Sequence, residues 1–506
     1  MNFLEFLDHL YFFATLALYL FIVLSAGYLC VIYTHLNAFP TPPFIPIIGH
    51  VLDYTDSSTA LTKLTNNLIK YGGVIRQYIG PRKPSLVVAN KEFLEFLCIN
   101  NKYVCKSKFY DLIKPWLGEG LITSDGEKWK SRRKALTAKF TQSETLKGFI
   151  EVFENKSNTL ITVLDDFHNK NINLHPILKR FTFDVICETA MGISFNAQTK
   201  NTNTEYAESV ETLCEVGLNR MTSFFKYFDV FYQYTDDCIK EKQALAVIDA
   251  TLEKIIKLKQ QKRSKSKCDT DRKDFLDLLM DIEIDARPLS HSDIREEINT
   301  FIFAGYDTSS TAICLALYEI GKNSDIQKKL LNEQQQLFKK ESPQIDYEVL
   351  QQMVYLDMVI KETLRLYSIV PSVGKRITKD LQYCNIKLPA MLNFSIFIHG
   401  FHHNPQYYPN PEIFDPERFA NSKNIDKMTY LPFGVQPRQC LGKNFSMLEM
   451  KCALSKIIRT YEIINIAEHQ LEIKPKLVLF SISGIWVKIR KRYKKVSKLG
   501  LNKTTE

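Results

Sequence analysis

Phe433-Gly434-Val435-Gln436-Pro437-Arg438-Gln439-Cys440-Leu441-Gly442 is the stretch of this chain that says most about its fold and chemistry. Pro437 and Gly442 bracket a cysteine in a tight loop, where backbone N–H groups can donate to the sulfur. A thiolate there is a soft, strongly donating ligand, suited to one face of a haem iron. Arg438, two residues earlier, offers a cation to a haem carboxylate. Alone, the decapeptide reads equally as a buried free cysteine in a Gly/Pro turn. The rest of the chain has to decide.

Upstream, Asp293–Ile320 has helical spacing, with Ile294, Ile298 and Phe301 on one apolar face that leads into Ala304-Gly305-Tyr306-Asp307-Thr308-Ser309. A mid-helix glycine costs about 1 kcal/mol relative to alanine, so something should approach the backbone at Gly305. A flat cofactor with a bound diatomic is one such object. Thr308 beside Asp307 supplies an alcohol and a carboxylate able to relay protons, although Thr308 can equally bond a carbonyl one turn back. Glu362 and Arg365 stand at i and i+3 on another helix. If Arg418 of Phe414-Asp415-Pro416-Glu417-Arg418-Phe419 joins them, the three form a buried network that locks the segment leading to Cys440. Trp129 and Arg133, four apart on a basic helical run Lys128–Phe140, suit a pair of carboxylates, and the remaining cations of that run suit an acidic protein.

The chain has 506 residues, 45% of them apolar, enough for one large core. Its 11 cysteines, an odd number without a CxxC pair, exclude a disulfide framework and a zinc site and point to a reduced, cytosol-facing body. A formal charge of +10 favours acidic partners or anionic lipid. Tyr11–Tyr33 carries no charge, and 23 helical residues span roughly 35 Å, enough for a hydrocarbon core. Glu5 and Asp8 precede the run, which argues for an uncleaved anchor with a lumenal N-terminus rather than a signal peptide. Four prolines between Pro40 and Pro46 make the following segment a stiff, extended connector. The resulting division is an anchor over 1–36, a hinge over 37–50 and a body over 51–506 ending in a basic tail.

The body from about Leu61 to Thr460 is mainly helical, Phe275–Met280 included. Val74–Ile79 and Ser85–Val88 are expected as a small sheet, with further strands in Lys387–His403 and Leu471–Val487. Lys257–Lys273 reads as a solvated basic loop rather than a nuclear signal, and no nucleic-acid partner is expected. Lys488–Lys498 reads equally as a lipid-facing or a solubilising tail. The fold class is mainly α with small β-sheets, in a single large domain.

Taken together and in order, Trp129-xxx-Arg133, Ala304–Ser309, Glu362-xx-Arg365, Pro416–Phe419 and the Cys440 loop resemble the cytochrome P-450 monooxygenases over essentially the whole chain. The wording of Lys361–Ile377 and Leu441–Lys451 is most similar to the animal microsomal family-four enzymes. The resemblance implies the P-450 fold and haem b with Cys440 as proximal iron ligand. It implies propionate contacts from Trp129, Arg133, Arg376 and Arg438, with Phe433, Gly442, Ala304 and Gly305 also against the cofactor. Asp307 and Thr308 become the distal proton-delivery pair. Substrate contacts are implied for Lys102–Gly120, Val370–Val373 and Phe480–Ser483, while Phe224–Tyr234 reads as an access channel, a lipid contact or core.

Two departures stand out. Gln436 replaces a usual glycine of the cysteine loop, where φ > 0 would cost on the order of 1–2 kcal/mol. Ala304 occupies a position where many family-four members carry a glutamate esterified to haem, so noncovalent haem is expected. The chain has no flavin or nicotinamide fingerprint, so electrons must come from a partner. The resemblance implies NADPH–cytochrome P-450 reductase, with cytochrome b5 as a second donor, O2 as co-substrate and an endoplasmic-reticulum membrane as the location. The expected reaction inserts one oxygen atom into a lipophilic substrate: a fatty acid, a steroid-like hormone or a xenobiotic. The competing readings are a reductase-independent haem-thiolate isomerase, disfavoured by Asp307 and Thr308, and an impaired haem- or lipid-binding protein, supported by Gln436 alone.

Overall fold

Ser290 and Asp293 start the helix around which the molecule is built. The Ser290 hydroxyl accepts from the Asp293 N–H at 3.2 Å, while the Asp293 carboxylate accepts from the Ser290 N–H at 3.1 Å. This reciprocal cap satisfies two donors that the first helical turn would otherwise leave open. The central helix then runs His291–Lys322. From Ser309 to Ile320 every residue is buried, as expected of a helix crossing the middle of a large domain. It packs against helices Leu174–Met191, Val354–Tyr367 and Lys443–Thr460 and against strand Tyr461–Asn465. Together these form the largest apolar core among the described residues.

The structure is a computed structural model. It describes residues 3–492 apart from 35, 47, 55–58, 80–82, 201–204, 224, 266–273, 339–344, 422–424 and 476. Lys257–Lys265 of the expected basic loop instead ends helix Asp236–Lys265, and Lys488–Lys491 of the expected tail lies in strand Trp486–Lys491; residues 266–273 and those beyond 492 lie outside the described residues.

A second core lies under a mixed five-stranded sheet. Strands Val74–Gln77 and Ser85–Val88 are antiparallel, as their β-branched runs predict. Asn393–Phe397 joins Ser85–Val88 in parallel, Ser372–Ile377 follows antiparallel, and Val104–Lys106 closes the far edge. The expected strands in Lys387–His403 are only part of that segment. After Ile386–Leu388 and Asn393–Phe397 the chain turns into a short buried helix, Ile398–His402, which packs on helix Ala60–Lys70. Within Leu471–Val487 the strands are Ile473–Lys474 and Phe480–Ser481, with Trp486–Lys491 pairing back onto Tyr461–Asn465.

The proline-rich connector is docked rather than free. Arg76 N–H donates to the Pro40 carbonyl at 2.8 Å, and the Thr41 hydroxyl donates to the Arg76 carbonyl at 2.9 Å. Ahead of it, one helix covers Phe3–Thr34 and presents exposed Phe13, Phe21, Leu24 and Val31. The expected span Tyr11–Tyr33 falls inside this helix, partly on side chains outside the described residues (12, 29, 32 and 33). Among the described residues no helix is long and apolar enough to cross a membrane, so the structure does not establish the transmembrane segment.

Candidate functional site

The segment leading to Cys440 hangs from a buried ion pair. Arg365 donates to Glu362 twice, at 2.7 and 2.8 Å, and both side chains are fully buried. A pair so enclosed is viable only when its remaining donors and acceptors are met. Arg365 also donates to the carbonyl of His402 at 2.9 Å, and Glu362 accepts from the Asp415 N–H at 2.9 Å. Arg418 approaches Glu362 at 3.4 Å and donates to the carbonyls of Pro409 and Asn410. The three-residue network expected from the sequence therefore forms. Its link onward is His402, whose Nε2 accepts from the Leu431 N–H at 2.8 Å. Gly434 N–H then bonds the Leu431 carbonyl, and Cys440 N–H the Phe433 carbonyl at 2.8 Å.

In that loop the left-handed backbone falls on Gly434, with φ +72°, and not on Gln436. The strain expected at Gln436 is therefore absent. Its exposed side chain bonds Gln439 at 3.2 Å. Cys440 immediately precedes helix Lys443–Thr460, whose N-cap is Gly442. Protein surrounds the cysteine, yet its side chain stays accessible, so it borders interior space rather than the outer surface. Burial pushes its thiol pKa up, opposed by the Gly442 N–H and by Arg133 and Lys443. Cys452, on the same helix, is a core cysteine instead: burial raises its thiol to about 12, and Ser157 lies 3.7 Å away.

Beside Cys440 the sequence elements assemble a wall of cations. The Arg438 guanidinium lies 3.7 Å from the centre of the buried Trp129 ring, donates to the Ser124 carbonyl at 2.8 Å and pairs with Asp125. Burial lowers Arg438 to about 10 and also lowers Arg133. Arg376, implied as a carboxylate contact, follows Lys375 on the same strand and so points to the other face of the sheet; among the described residues its buried Nε has no partner. Lys106 and Lys375, which the sequence did not single out, stand in the same wall because two strands place them there. So many cations around one carboxylate leave room for further anions.

The hexapeptide Ala304–Ser309 divides its labour. Ala304 is exposed in the middle of the central helix, between buried Ile302 and Tyr306, and Phe303, Asp307 and Thr308 are partly accessible. The Thr308 hydroxyl donates to the Ala304 carbonyl at 2.7 Å, the local bond that the sequence left open. Asp307 turns toward helix Leu174–Met191, 3.4 Å from Lys179 and 4.0 Å from His175. Burial alone would lower the Lys179 pKa, but Asp307 and Glu211 outweigh it and hold it raised. Gly305 is small for a reason other than the one expected. A Cβ there would meet Ile186 Cδ1 at 2.7 Å, so the close approach on that side is a packed helix and not a flat cofactor. Of the implied substrate turns, Phe480 stacks edge-on at 5.9 Å from His175, next to Asp307.

A cysteine poised before a helix, a cation wall beside it and an accessible alanine–threonine face on a buried helix now stand together. The family model described as cytochrome P450 matches residues 39–489. The chain belongs to the cytochrome P450 family. It is 33% identical over 462 residues to the probable cytochrome P450 4s3 of Drosophila melanogaster, covering 88% of this chain and 91% of that relative. It is 32% identical over 467 residues to the human cytochrome P450 4V2 (88% of each chain). To cytochrome P450 4d1 of Drosophila simulans it is 32% identical over 479 residues, covering 90% and 93%. The protein is thus a P450 monooxygenase, an oxidoreductase of a family that holds haem b through a cysteine thiolate. Membership also implies O2, a lipophilic substrate and a redox partner.

Haem fits the residues that line this space. The accessible sulfur would supply a soft donor, the cations Arg133, Arg438, Lys106 and Lys375 suit two carboxylates, and Ala304 is accessible on the central helix. A methyl group at Ala304 cannot form an ester.

Proposed function

We propose that Cys440 is the axial thiolate of a noncovalently bound haem b and that this P450 oxidises a lipophilic substrate with electrons from NADPH–cytochrome P450 reductase. The carrying observation is Cys440 itself: accessible, surrounded by protein, two residues before the N-cap of an 18-residue helix and beside Arg133. Once bound there, haem b supplies the O2-activating chemistry of the family. The chain's own residues do the rest. Gly442 N–H and the helix N-terminus favour the thiolate. Trp129, Arg133 and Arg438 would hold the haem's carboxylates, with Phe433, Ala304 and Gly442 against the cofactor. Thr308 presents a hydroxyl on the accessible helix face. Asp307, tethered to Lys179 and His175, passes protons from that side.

The exposed cations of helix Gly126–Phe140, among them Lys130, suit the acidic flavin domain of a reductase, with cytochrome b5 as a second donor. Helix Phe3–Thr34 serves as a single-pass anchor in the endoplasmic-reticulum membrane, with the body facing the cytosol. Fatty acids, steroid-like hormones and xenobiotics all suit an apolar site. The impaired-binder alternative rested on Gln436 and loses that support, because Gln436 is not left-handed.

The test is a CO-difference spectrum of the reduced protein with and without Cys440→Ser. The wild type should show the red-shifted band of a thiolate–iron–CO complex, and the variant should lack it. A band that survives Cys440→Ser refutes the assignment, and a wild type without it refutes the haem-thiolate reading.

A further inference from the structure

Helix Lys114–Leu117 and the turn that follows it lie directly on the central helix. Gly118 takes φ +53°, and a Cβ there would meet Glu296 Cγ at 2.5 Å, so a glycine is what lets the chain pass this close. Three bonds seat the backbone. Asn299 Nδ2 donates to the Trp116 carbonyl at 3.3 Å, the Leu121 N–H to Glu297 at 3.1 Å and Arg132 to the Glu119 carbonyl at 3.0 Å. The Trp116 ring stands edge-on to Phe303 at 5.2 Å, beside the accessible Ala304. Residues 114–121 therefore cover the stretch of central helix that leads to Ala304.

Two sets of groups pull on this cover in opposite directions. Beneath it, Trp116 Nε1, Asn299 Oδ1 and Thr300 Oγ1 are buried with no hydrogen-bond partner among the described residues. While the cover is down, each has lost water without a replacement; lifting it returns the water. Outside, the Lys128 ammonium bridges the cover and the central helix, 3.1 Å from Glu119 and 3.5 Å from Glu296, and Lys114 approaches Glu119 at 3.9 Å. The Lys128 and Glu119 side chains are 38% and 53% exposed, so dissolved salt reaches this bridge. Arg132 is 4% exposed and shared among Asp293, Glu296 and Glu297, which makes it the buried part of the same network.

We propose that Glu119, Lys128 and Glu296 form an ionic latch that holds residues 114–121 closed as a lid over the Ala304 face, and that its opening sets how fast a lipophilic ligand enters and leaves. This deepens the reading of that loop as a substrate contact and rests on haem at Cys440. A lid that recloses over its ligand changes entry and release by the same factor and leaves the affinity as it was. Loss of one solvent-screened ion pair should speed both about two- to fivefold.

The experiment is stopped-flow binding and displacement of clotrimazole, an uncharged azole that ligates ferric haem, on the full-length holoprotein. Wild type, Glu119→Gln, Lys128→Met and Lys128→Arg are compared between about 0.01 and 1 M NaCl, over which the screening length falls from roughly 30 to 3 Å. Wild type and Lys128→Arg should bind and release the azole slowly at low salt and faster at high salt. At low salt Glu119→Gln and Lys128→Met should be about two- to fivefold faster than wild type in both directions, indifferent to added salt and unchanged in dissociation constant. The azole has no charge for salt to screen, so the salt dependence reports on the latch.

Rates that agree among all four proteins at every salt concentration overturn the proposal. So does an altered affinity at an unchanged entry rate, which would make these side chains ligand contacts instead of a latch. A wild type that gives no azole difference spectrum sinks the haem reading of Cys440 together with the lid, whereas normal azole binding at charge-indifferent rates sinks the lid alone.

Discussion

Gln436 and Gly434 show how far a residue's meaning depends on backbone geometry. From sequence, a glutamine in place of glycine suggests a strained loop. In the structure the left-handed residue is Gly434, where nothing lies within 4 Å of the position that an added methyl group would take. The penalty at Gly434 is therefore conformational alone. Gly434→Ala should lower stability by about 1–2 kcal/mol and reduce the CO-difference amplitude. Gln436→Gly should not stabilise: extra chain entropy in the unfolded state should lower stability by about 0.5–1 kcal/mol. Denaturant midpoints of the two variants decide the matter, and a stabilising Gln436→Gly with a neutral Gly434→Ala would reverse the assignment. Glu362 and Arg365 were legible by contrast, because an acid and a base at i and i+3 keep their relation wherever the helix is placed.

At the scale of elements, the sequence located the central helix but not its bearing. Periodicity marks an apolar face, yet Thr308 and Asp307 are one residue apart and point to different neighbours. Which helix each meets is set by packing between segments distant in sequence. Gly305 is small because of Ile186 for the same reason, and the Lys106–Lys375 pairing depends on a strand register that no local pattern encodes. Glu449 is another residue whose meaning appears only in the assembled fold. It lies on helix Lys443–Thr460, is 1% exposed, and meets the Ser309 hydroxyl of the central helix, while among the described residues its Oε2 has no partner. Burial pushes its carboxyl up to about 8. In the unfolded chain a glutamate ionises near 4.3, so between about 4.3 and 8 the folded state binds the extra proton. Stability from this group is complete below that window and is lost as pH rises through it, by about 1.4 kcal/mol per pH unit. Glu449→Gln should flatten this slope and raise the denaturant midpoint at pH 7, for a gain in stability of roughly 3–4 kcal/mol. An unchanged slope, or a lower midpoint, would mean that Glu449 is ionised in the fold.

At the scale of the whole molecule, the legible features were those whose chemistry is local: the cysteine loop, the spaced ion pair and the Trp129–Arg133 step. Their joint order carried the fold class, since five unrelated local patterns constrain one topology far more than any of them alone. The way the body meets its surroundings was less legible, because exposure is a property of the assembled surface. Phe225, Phe228, Val230, Phe231 and Tyr234 are all exposed, in the connection between helices Glu205–Thr222 and Asp236–Lys265. Ile45 and Ile48 of the proline-rich connector are exposed as well. A soluble surface rarely keeps so many large apolar groups in one short segment without a use. If helix Phe3–Thr34 is an anchor, this aromatic segment is a second, independent lipid contact. Removal of residues 1–36 should then leave a haem-binding body that still sediments with phosphatidylcholine vesicles. Replacing Phe225, Phe228 and Phe231 together by Ser in that truncated protein should release it into the supernatant, because three buried aromatics contribute several kcal/mol of transfer free energy, roughly 1.5–3 each. The CO-difference spectrum should stay as it was, since these rings face outward. Continued sedimentation of the triple variant would place the lipid contact elsewhere on the body, and a truncated protein that never binds vesicles would leave the N-terminal helix as the one membrane attachment.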